Sequence, residues 1–232
     1  MGSEHLALVG PTASGKSALA VAVAQRLGDV EIVSLDAMQV YRGMDVGTAK
    51  PSSDERAAVP HHLIDVVDAS EEWSIAALQG AARRVIGEVE ERGRRALMVG
   101  GSGLHVRAVL DDLCLPGEDR VLRAQLESLA DTTEGLAEMW DELRRADPDA
   151  ASRIERGNVR RLVRALEVIR LTGKPFSGFG DGMRRYGETF VRVRMAGVWL
   201  PRAVVALRIE QRLAPMREAG FLEEVAALRE VG

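Results

Sequence analysis

Eight residues near the start of the chain, Gly10, Pro11, Thr12, Ala13, Ser14, Gly15, Lys16 and Ser17, follow the apolar run HLALV and lead into an Ala-rich stretch from Lys16 to Leu27. This spacing is that of a loop that wraps phosphates. Gly10 and Gly15 permit backbone conformations that a β-carbon would penalise, so the amides between them can turn inward around an anion. Lys16 adds positive charge, and Ser17 offers a hydroxyl placed to ligand Mg²⁺. A helix starting near Gly15 contributes unpaired N–H groups and the positive end of its dipole. The bland alternative is a Gly-containing turn, but a strand before it and a helix after it favour phosphate binding. ATP hydrolysis does not follow from the pattern.

The elements that must position this loop alternate through the first third of the chain. HLALV, the helix to Leu27 and VEIVS at 30–34 read as a βαβ unit, which requires a parallel sheet. Residues 35–60 are rich in Gly, Pro and Asp and read as a long functional loop. HLIDVV at 62–67 is expected to be a strand. From Ser74 to Arg92, Ile75, Leu78, Ala82, Val85, Ile86 and Val89 mark one helical face, with Ser74 as N-cap and Gly93 as stop. RALMV at 95–99 is a buried strand ending in Gly100-Gly101-Ser102-Gly103. A second glycine-rich turn at the carboxyl end of a strand is where open α/β sheets bind ligands.

After Pro116 the texture changes to charged helical patterns, Val121 to Leu129, Leu136 to Arg145 and Asn158 to Leu171. Alternation returns at FVRVRMAGVWL, and one amphipathic helix is expected from Ala203 to Arg229. The expected fold class is α/β, a P-loop NTPase-like parallel sheet core over residues 1–117 and 191–232 with a helical insertion over 118–190.

Composition bounds the function. The chain has 232 residues, 46 % of them hydrophobic, enough for one substantial core and a smaller module. No apolar run approaches membrane-spanning length, the start lacks an export signal, and the single Cys114 excludes an intrachain disulfide. The expectation is a cytoplasmic monomer. A net charge of −4 argues weakly against a dedicated nucleic-acid binder, yet charge is unevenly spread. Between Arg153 and Lys174, Arg156, Arg160, Arg161, Arg164 and Arg170 face only Glu155 and Glu167. If one helix spans them, Arg153, Arg156, Arg160 and Arg164 share a face. Such runs often mark solvated surface; beside the other motifs they suggest phosphate contact.

Asp36 sits just past VEIVS, on the sheet edge that carries the phosphate loop. Taken alone it reads equally as a functional carboxylate or as no more than a turn former or holder of water on Mg²⁺. The ordered motifs GPTASGKS, DAMQVYRGMDVGTAKP, HHLID, VGGSGLH and RRLVRALEVIRLTGKP resemble the tRNA dimethylallyltransferase family across nearly the whole chain. The resemblance implies transfer of an isopentenyl group from dimethylallyl diphosphate to N6 of an adenine beside the anticodon of tRNA, with Mg²⁺. Asp36 matches the family's general base, and Asp36, Ala37, Met38 and Gln39 the segment that holds the base. Lys16 and Ser17 match the diphosphate and Mg²⁺ contacts. Ser102 matches a tRNA-touching threonine that belongs, with Asp36 and Lys16, to the catalytic set. Arg123 matches a tRNA contact, and Arg160, Arg161, Leu162, Val163 and Arg164 fall on the RNA-binding helix.

Three departures stand out. Ala37 replaces a common serine, Arg160 a common glutamine, and His105 a frequent tyrosine, His105 reading best as a partly buried helix histidine. Family members typically continue beyond EEVAALREVG, so Gly232 is expected to mark a truncation. Three other readings remain open: a small-molecule P-loop kinase, a prenyltransferase acting on free adenine nucleotides, and a non-catalytic RNA-binding module.

Overall fold

β1 (His5–Val9), β2 (Val30–Ser34), β3 (His61–His62), β4 (Arg95–Gly100) and β5 (Val193–Gly197) form one sheet in the order β3-β2-β4-β1-β5. Every pairing is parallel. This is the computed structural model of the chain, and it describes residues 4–111, 113, 115–180 and 189–231. Cys114 and residues 181–188 of the expected insertion lie outside the described residues. The chain divides into two compact units, Met1–Asp112 with Glu188–Gly232, and Leu113–Gly187.

In the first unit, side-chain alternation along the strands builds two cores. Leu8 of β1 and Leu97 and Val99 of β4 pack with Ala20, Val21 and Ala24 of α1 (Lys16–Leu27). Ala7, Ala96 and Met98 point the other way, onto α3 (Ile75–Glu91) and α4 (Gly103–Leu110). A strand covered on both faces must be apolar on both, and β2 is buried at all five positions. Its polar residues are Ser34 at the carboxyl end and Glu31, which is 3 % exposed and meets His62, Arg92 and Arg94. Burial alone would raise its carboxyl pKa, but hydrogen bonds from Arg92 and His62 outweigh that and hold it below the usual range.

Local signals set most element ends. Gly28 stops α1 in the left-handed conformation at φ 75°. Ser74 caps α3 by accepting from the Ala77 N–H at 3.1 Å, as expected. The loop read over 35–60 contains a further helix, α2 (Ser53–Ala58), with a complete capping box between Ser52 and Glu55. The strand expected over 62–67 is only the His61–His62 pair, because Leu63 (φ 62°) and Asp65 (φ 57°) take left-handed turns. Asp65 is held in its turn by Lys50 and Arg56. The single helix expected from Ala203 to Arg229 is two, α10 (Arg202–Glu218) and α11 (Phe221–Val231). Gly220 between them sits at φ 93°, a value that favours glycine.

The second unit is helical: α5 (Arg120–Ala130), α6 (Thr133–Ala146), α7 (Pro148–Arg153), α8 (Val159–Thr172) and α9 (Phe176–Gly180). Its core joins Leu126, Met139, Trp140, Leu143, Ile154 and Leu166. Arg170 pairs with Glu142 through two hydrogen bonds of 3.0 and 2.7 Å, fixing α8 against α6. Among the described residues, no helix is long and apolar enough to cross a membrane.

Candidate active site

The carboxyl ends of β1, β2 and β4 place three loops along one sheet edge. After β1, Gly10 donates to the Gly100 carbonyl at 3.3 Å, and Ser14 N–H to Pro11 O at 3.3 Å. Ala13 (φ 61°) and Gly15 (φ 87°) are both left-handed, which curls the chain into α1. A β-carbon on Gly10 would lie 2.9 Å from Ser14 Oγ and from Val198 O, so only glycine fits. Ser14 Oγ is buried without a hydrogen-bond partner. An orphaned hydroxyl in a cradle of this shape suits a bound anion oxygen. Arg208 of α10 donates to the carbonyls of Ala13 and Ser14 at 3.4 and 3.3 Å, tying the loop from outside.

Lys16 is half-buried and its Nζ lies 3.4 Å from Pro11 O. Burial lowers its pKa, the Asp36 charge opposes this, and Arg212 adds to the lowering. The second glycine turn makes the room. A β-carbon on Gly101 would fall 3.4 Å from Lys16 Nζ and 3.2 Å from Gly10 O. Ser17, in the first turn of α1, is exposed to the same space.

Asp36 stands just past β2. Its Oδ1 accepts from the Met38 N–H at 2.9 Å and the Gln39 N–H at 3.3 Å. One carboxylate oxygen therefore forms the turn, while Oδ2 has no hydrogen-bond partner among the described residues. Turn former and proton acceptor are thus compatible in one side chain. Ala37 and Met38 are exposed, and Met38 lines the cavity. Gln39 is buried, and its amide is committed inward: it accepts from Ser34 Oγ at 3.0 Å and donates to Thr48 O and Ala49 O, both at 3.3 Å. In this arrangement Gln39 braces the neighbouring loop.

A cavity of about 630 Å³ joins Lys16, Ser17, Asp36, Met38 and Gln39 with Thr48, His61, Arg212, Phe221 and Glu224. Its phosphate end is polar and its far wall apolar, with Met44, Val225 and Leu228. His61, Arg208, Arg212 and Glu224 were not singled out by sequence reasoning. Arg208 and Arg212 stand four apart in RIEQR, a spacing that shares a helix face, and this was the legible signal. His61 lies within the HHLID motif; burial lowers its pKa and its Nδ1 faces the Val59 carbonyl at 2.7 Å. A carbonyl can only accept, so Nδ1 carries the proton.

Ser102 does not line this cavity; its hydroxyl caps α4 by accepting from the His105 N–H at 3.4 Å. His105 is half-buried, its Nδ1 3.2 Å from Leu35 O, in keeping with the helix-histidine reading.

The helical unit corrects several expectations about the basic stretch. α7 ends at Arg153 and α8 begins at Val159, so Arg153, Arg156, Arg160 and Arg164 do not share one helix. Leu162 and Val163 are 0 % and 3 % exposed, packed in the core of the unit. Burial prevents these two side chains from meeting tRNA; they hold the helix in place. Arg123 and Arg164 are bound to Glu167, itself 0 % exposed, at 3.0 and 2.7 Å. Burial would raise the Glu167 pKa, but Arg164, the Asp119 N–H and Arg123 together hold it below the usual carboxylate range. Arg164 also donates to Pro116 O and Gly117 O. Arg160 and Arg161, by contrast, are exposed with no ion pair among the described residues.

A parallel sheet with a glycine-rich loop of the phosphate-loop type after β1 and a carboxylate after β2 defines a P-loop-type α/β protein. The model of the IPP transferase family matches residues 39–232, and the chain belongs to that family. It is 48 % identical over 228 residues to the tRNA dimethylallyltransferase of Bifidobacterium longum, covering 97 % of this chain and 68 % of that protein. It is 48 % identical over 227 residues to the enzyme of the same name from Kocuria rhizophila, covering 98 % of this chain and 70 % of that protein. The full-length tRNA isopentenylpyrophosphate transferase of Bacillus halodurans superposes with a TM-score of 0.62 at 41 % identity, over 99 % of this chain and 71 % of that one. A eukaryotic dimethylallyltransferase captured acting on tRNA superposes with a TM-score of 0.82 at 27 % identity, over 99 % of this chain and 56 % of that one. The chain thus spans roughly two thirds of the length of these curated relatives.

Proposed function

We propose that this chain transfers a dimethylallyl group from dimethylallyl diphosphate to N6 of an adenine beside the anticodon of tRNA, releasing diphosphate. One observation carries the reading: a carboxylate with a free oxygen, Asp36, shares a cavity with the Lys16 and Ser17 end of a phosphate cradle. The amides of the loop, the Ser14 hydroxyl and Lys16 receive the diphosphate. As the allylic C–O bond breaks, negative charge grows on the leaving group, where these fixed donors stabilise it. The adenine amine is a poor nucleophile because its lone pair is delocalised. Asp36 Oδ2 takes its proton as the new N–C bond forms, while Oδ1 keeps the turn in place. An unpaired loop nucleotide enters this centre at lower cost than a stacked one.

Ser17 and the diphosphate oxygens would hold Mg²⁺, an ion that binds through few protein oxygens and keeps several waters. When bound, it supplies charge neutralisation to the departing diphosphate. The exposed Arg160 and Arg161 are the groups we assign to tRNA phosphates. Every group named comes from one chain, so the reading takes a monomer as the working unit, in the cytoplasm where tRNA is found. The kinase and free-nucleotide readings account for the cradle and not for the names of relatives at 48 % identity.

The test is incubation with labelled dimethylallyl diphosphate and total tRNA, followed by nucleoside analysis. Label in a modified adenosine is the expected result. Label transferred only to free adenine nucleotides, or phosphate transferred from ATP instead, would replace this reading with one of the others.

A further inference from the structure

Glu224, in the first turn of α11, reaches a loop 179 residues earlier in the chain. Its Oε2 accepts from the Asp45 and Val46 N–H groups at 2.7 and 2.6 Å, and its Oε1 from the Gly47 N–H at 2.9 Å. Three consecutive amides converging on one anion form a nest, and a carboxylate is the side chain that can only accept there. The packing is close: a β-carbon on Gly47 would lie 2.7 Å from Phe221 Cε2 and 3.2 Å from Glu224 Oε1.

The same loop is held from its other end by Gln39, which donates to Thr48 O and Ala49 O. Gln39 in turn closes the Asp36 turn through its N–H. Lys50 completes the frame, donating to Tyr41 O at 2.5 Å and to Asp45 Oδ1 at 2.7 Å. A continuous chain of charge-assisted and amide hydrogen bonds therefore runs from α11 through residues 45–49 to the carboxylate that faces the phosphate cradle.

We infer that Glu224 is a positioning residue, a latch that fixes loop 45–49 and through Gln39 sets the placement of the Asp36–Gln39 segment for the incoming adenine. The inference rests on the transferase reading for its consequence and on geometry alone for its mechanism. Phosphate binding is left to the cradle, which Glu224 does not touch. The latch therefore acts on use of the acceptor and leaves the donor's grip unchanged.

The experiment uses the full chain and its Glu224→Gln and Glu224→Ala variants. Residue-resolved hydrogen exchange reads the amides of Asp45, Val46 and Gly47. Equilibrium binding reads the Kd for dimethylallyl diphosphate. Turnover is normalised to active sites titrated with labelled donor, so that a smaller folded fraction does not imitate the effect. Glu224→Gln replaces one accepting oxygen by an NH₂ group that can only donate. It is expected to speed exchange at these amides about tenfold and lower kcat/KM for tRNA by a similar factor, with donor Kd within twofold; Glu224→Ala does more. Unchanged exchange in both variants, or faster exchange with kcat/KM within twofold, overturns the inference. Should the variants not fold, exchange in the unaltered chain decides: amides 45–47 must be more protected than those of the neighbouring Gly43 and Met44, since the Arg42 N–H is already bonded to Val67 O. If the unaltered chain modifies no tRNA, it is the function reading that fails, and the exchange result alone then upholds or overturns the latch.

Discussion

Replacing Asp36 by Asn separates the two jobs of this side chain. The Asn side-chain oxygen can still accept from the Met38 and Gln39 N–H groups, now 2.9 and 3.3 Å from Oδ1, so the turn survives. The NH₂ group takes the place of Oδ2 and cannot accept a proton. General-base catalysis contributes about 10²–10⁴-fold, so kcat is expected to fall by that factor, equivalent to about 3–5 kcal/mol of barrier. The Asp36 charge also raises the pKa of Lys16 against its burial, so the substitution lowers that pKa further. The assay therefore compares the pH profiles of both proteins, so that a change in Lys16 charge is separated from loss of the base, using single-turnover kinetics with bound donor. Donor affinity and melting temperature should stay near those of the parent. A kcat within a few-fold of the parent would remove Asp36 from the role of base.

Replacing the exposed Arg160 and Arg161 by Ala should reduce the slope of log K against log[salt] for tRNA binding by about 0.7–0.9 for each residue, with little change in stability; an unchanged slope would make them ordinary surface. Arg164→Ala should instead cost about 1–3 kcal/mol of stability in denaturant unfolding, because it strips a partner from the fully buried Glu167. The folded pKa of Glu167 lies below its unfolded value of about 4.3, so its contribution is complete above that pH and is lost as pH falls through the folded pKa. Glu167→Gln should accordingly flatten the loss of stability with acid, and identical acid-unfolding curves would contradict the assignment. Dimethylallyl diphosphate with Mg²⁺ should raise the melting temperature more than ATP at equal concentration, and the reverse order with tRNA-independent hydrolysis would favour a kinase or NTPase.

Much of the first unit was legible because its signals are local. The phosphate loop and the Ser74 cap of α3 depend on residues within a few positions of one another, and period marked the face of α3 that packs in the core. The capping box of α2 was equally local, written as Ser52 and Glu55, and lay hidden only in a stretch read as loop. The short β3 was less accessible. HLIDVV has the composition of a strand, and what bends it is Asp65 pulled onto Lys50 and Arg56, a tertiary clamp that overrides propensity.

The sequence by itself determined which groups could do chemistry: a cradle for phosphate, a carboxylate after the next strand, and arginines in excess on the helical segment. Residue type and short-range spacing carry that information, because loop conformation, helix capping and strand ends are decided over a few residues. Only the tertiary structure decided which of those groups are free to act. Arg123 and Arg164 are spent on a buried glutamate, Leu162 and Val163 lie in a core, Gln39 braces a loop, and Ser102 caps a helix. Arg160, Arg161 and one oxygen of Asp36 are left available. Glu224 joins a loop across 179 positions because three convergent amides favour one anionic acceptor, and chain distance has no bearing on which side chain supplies it.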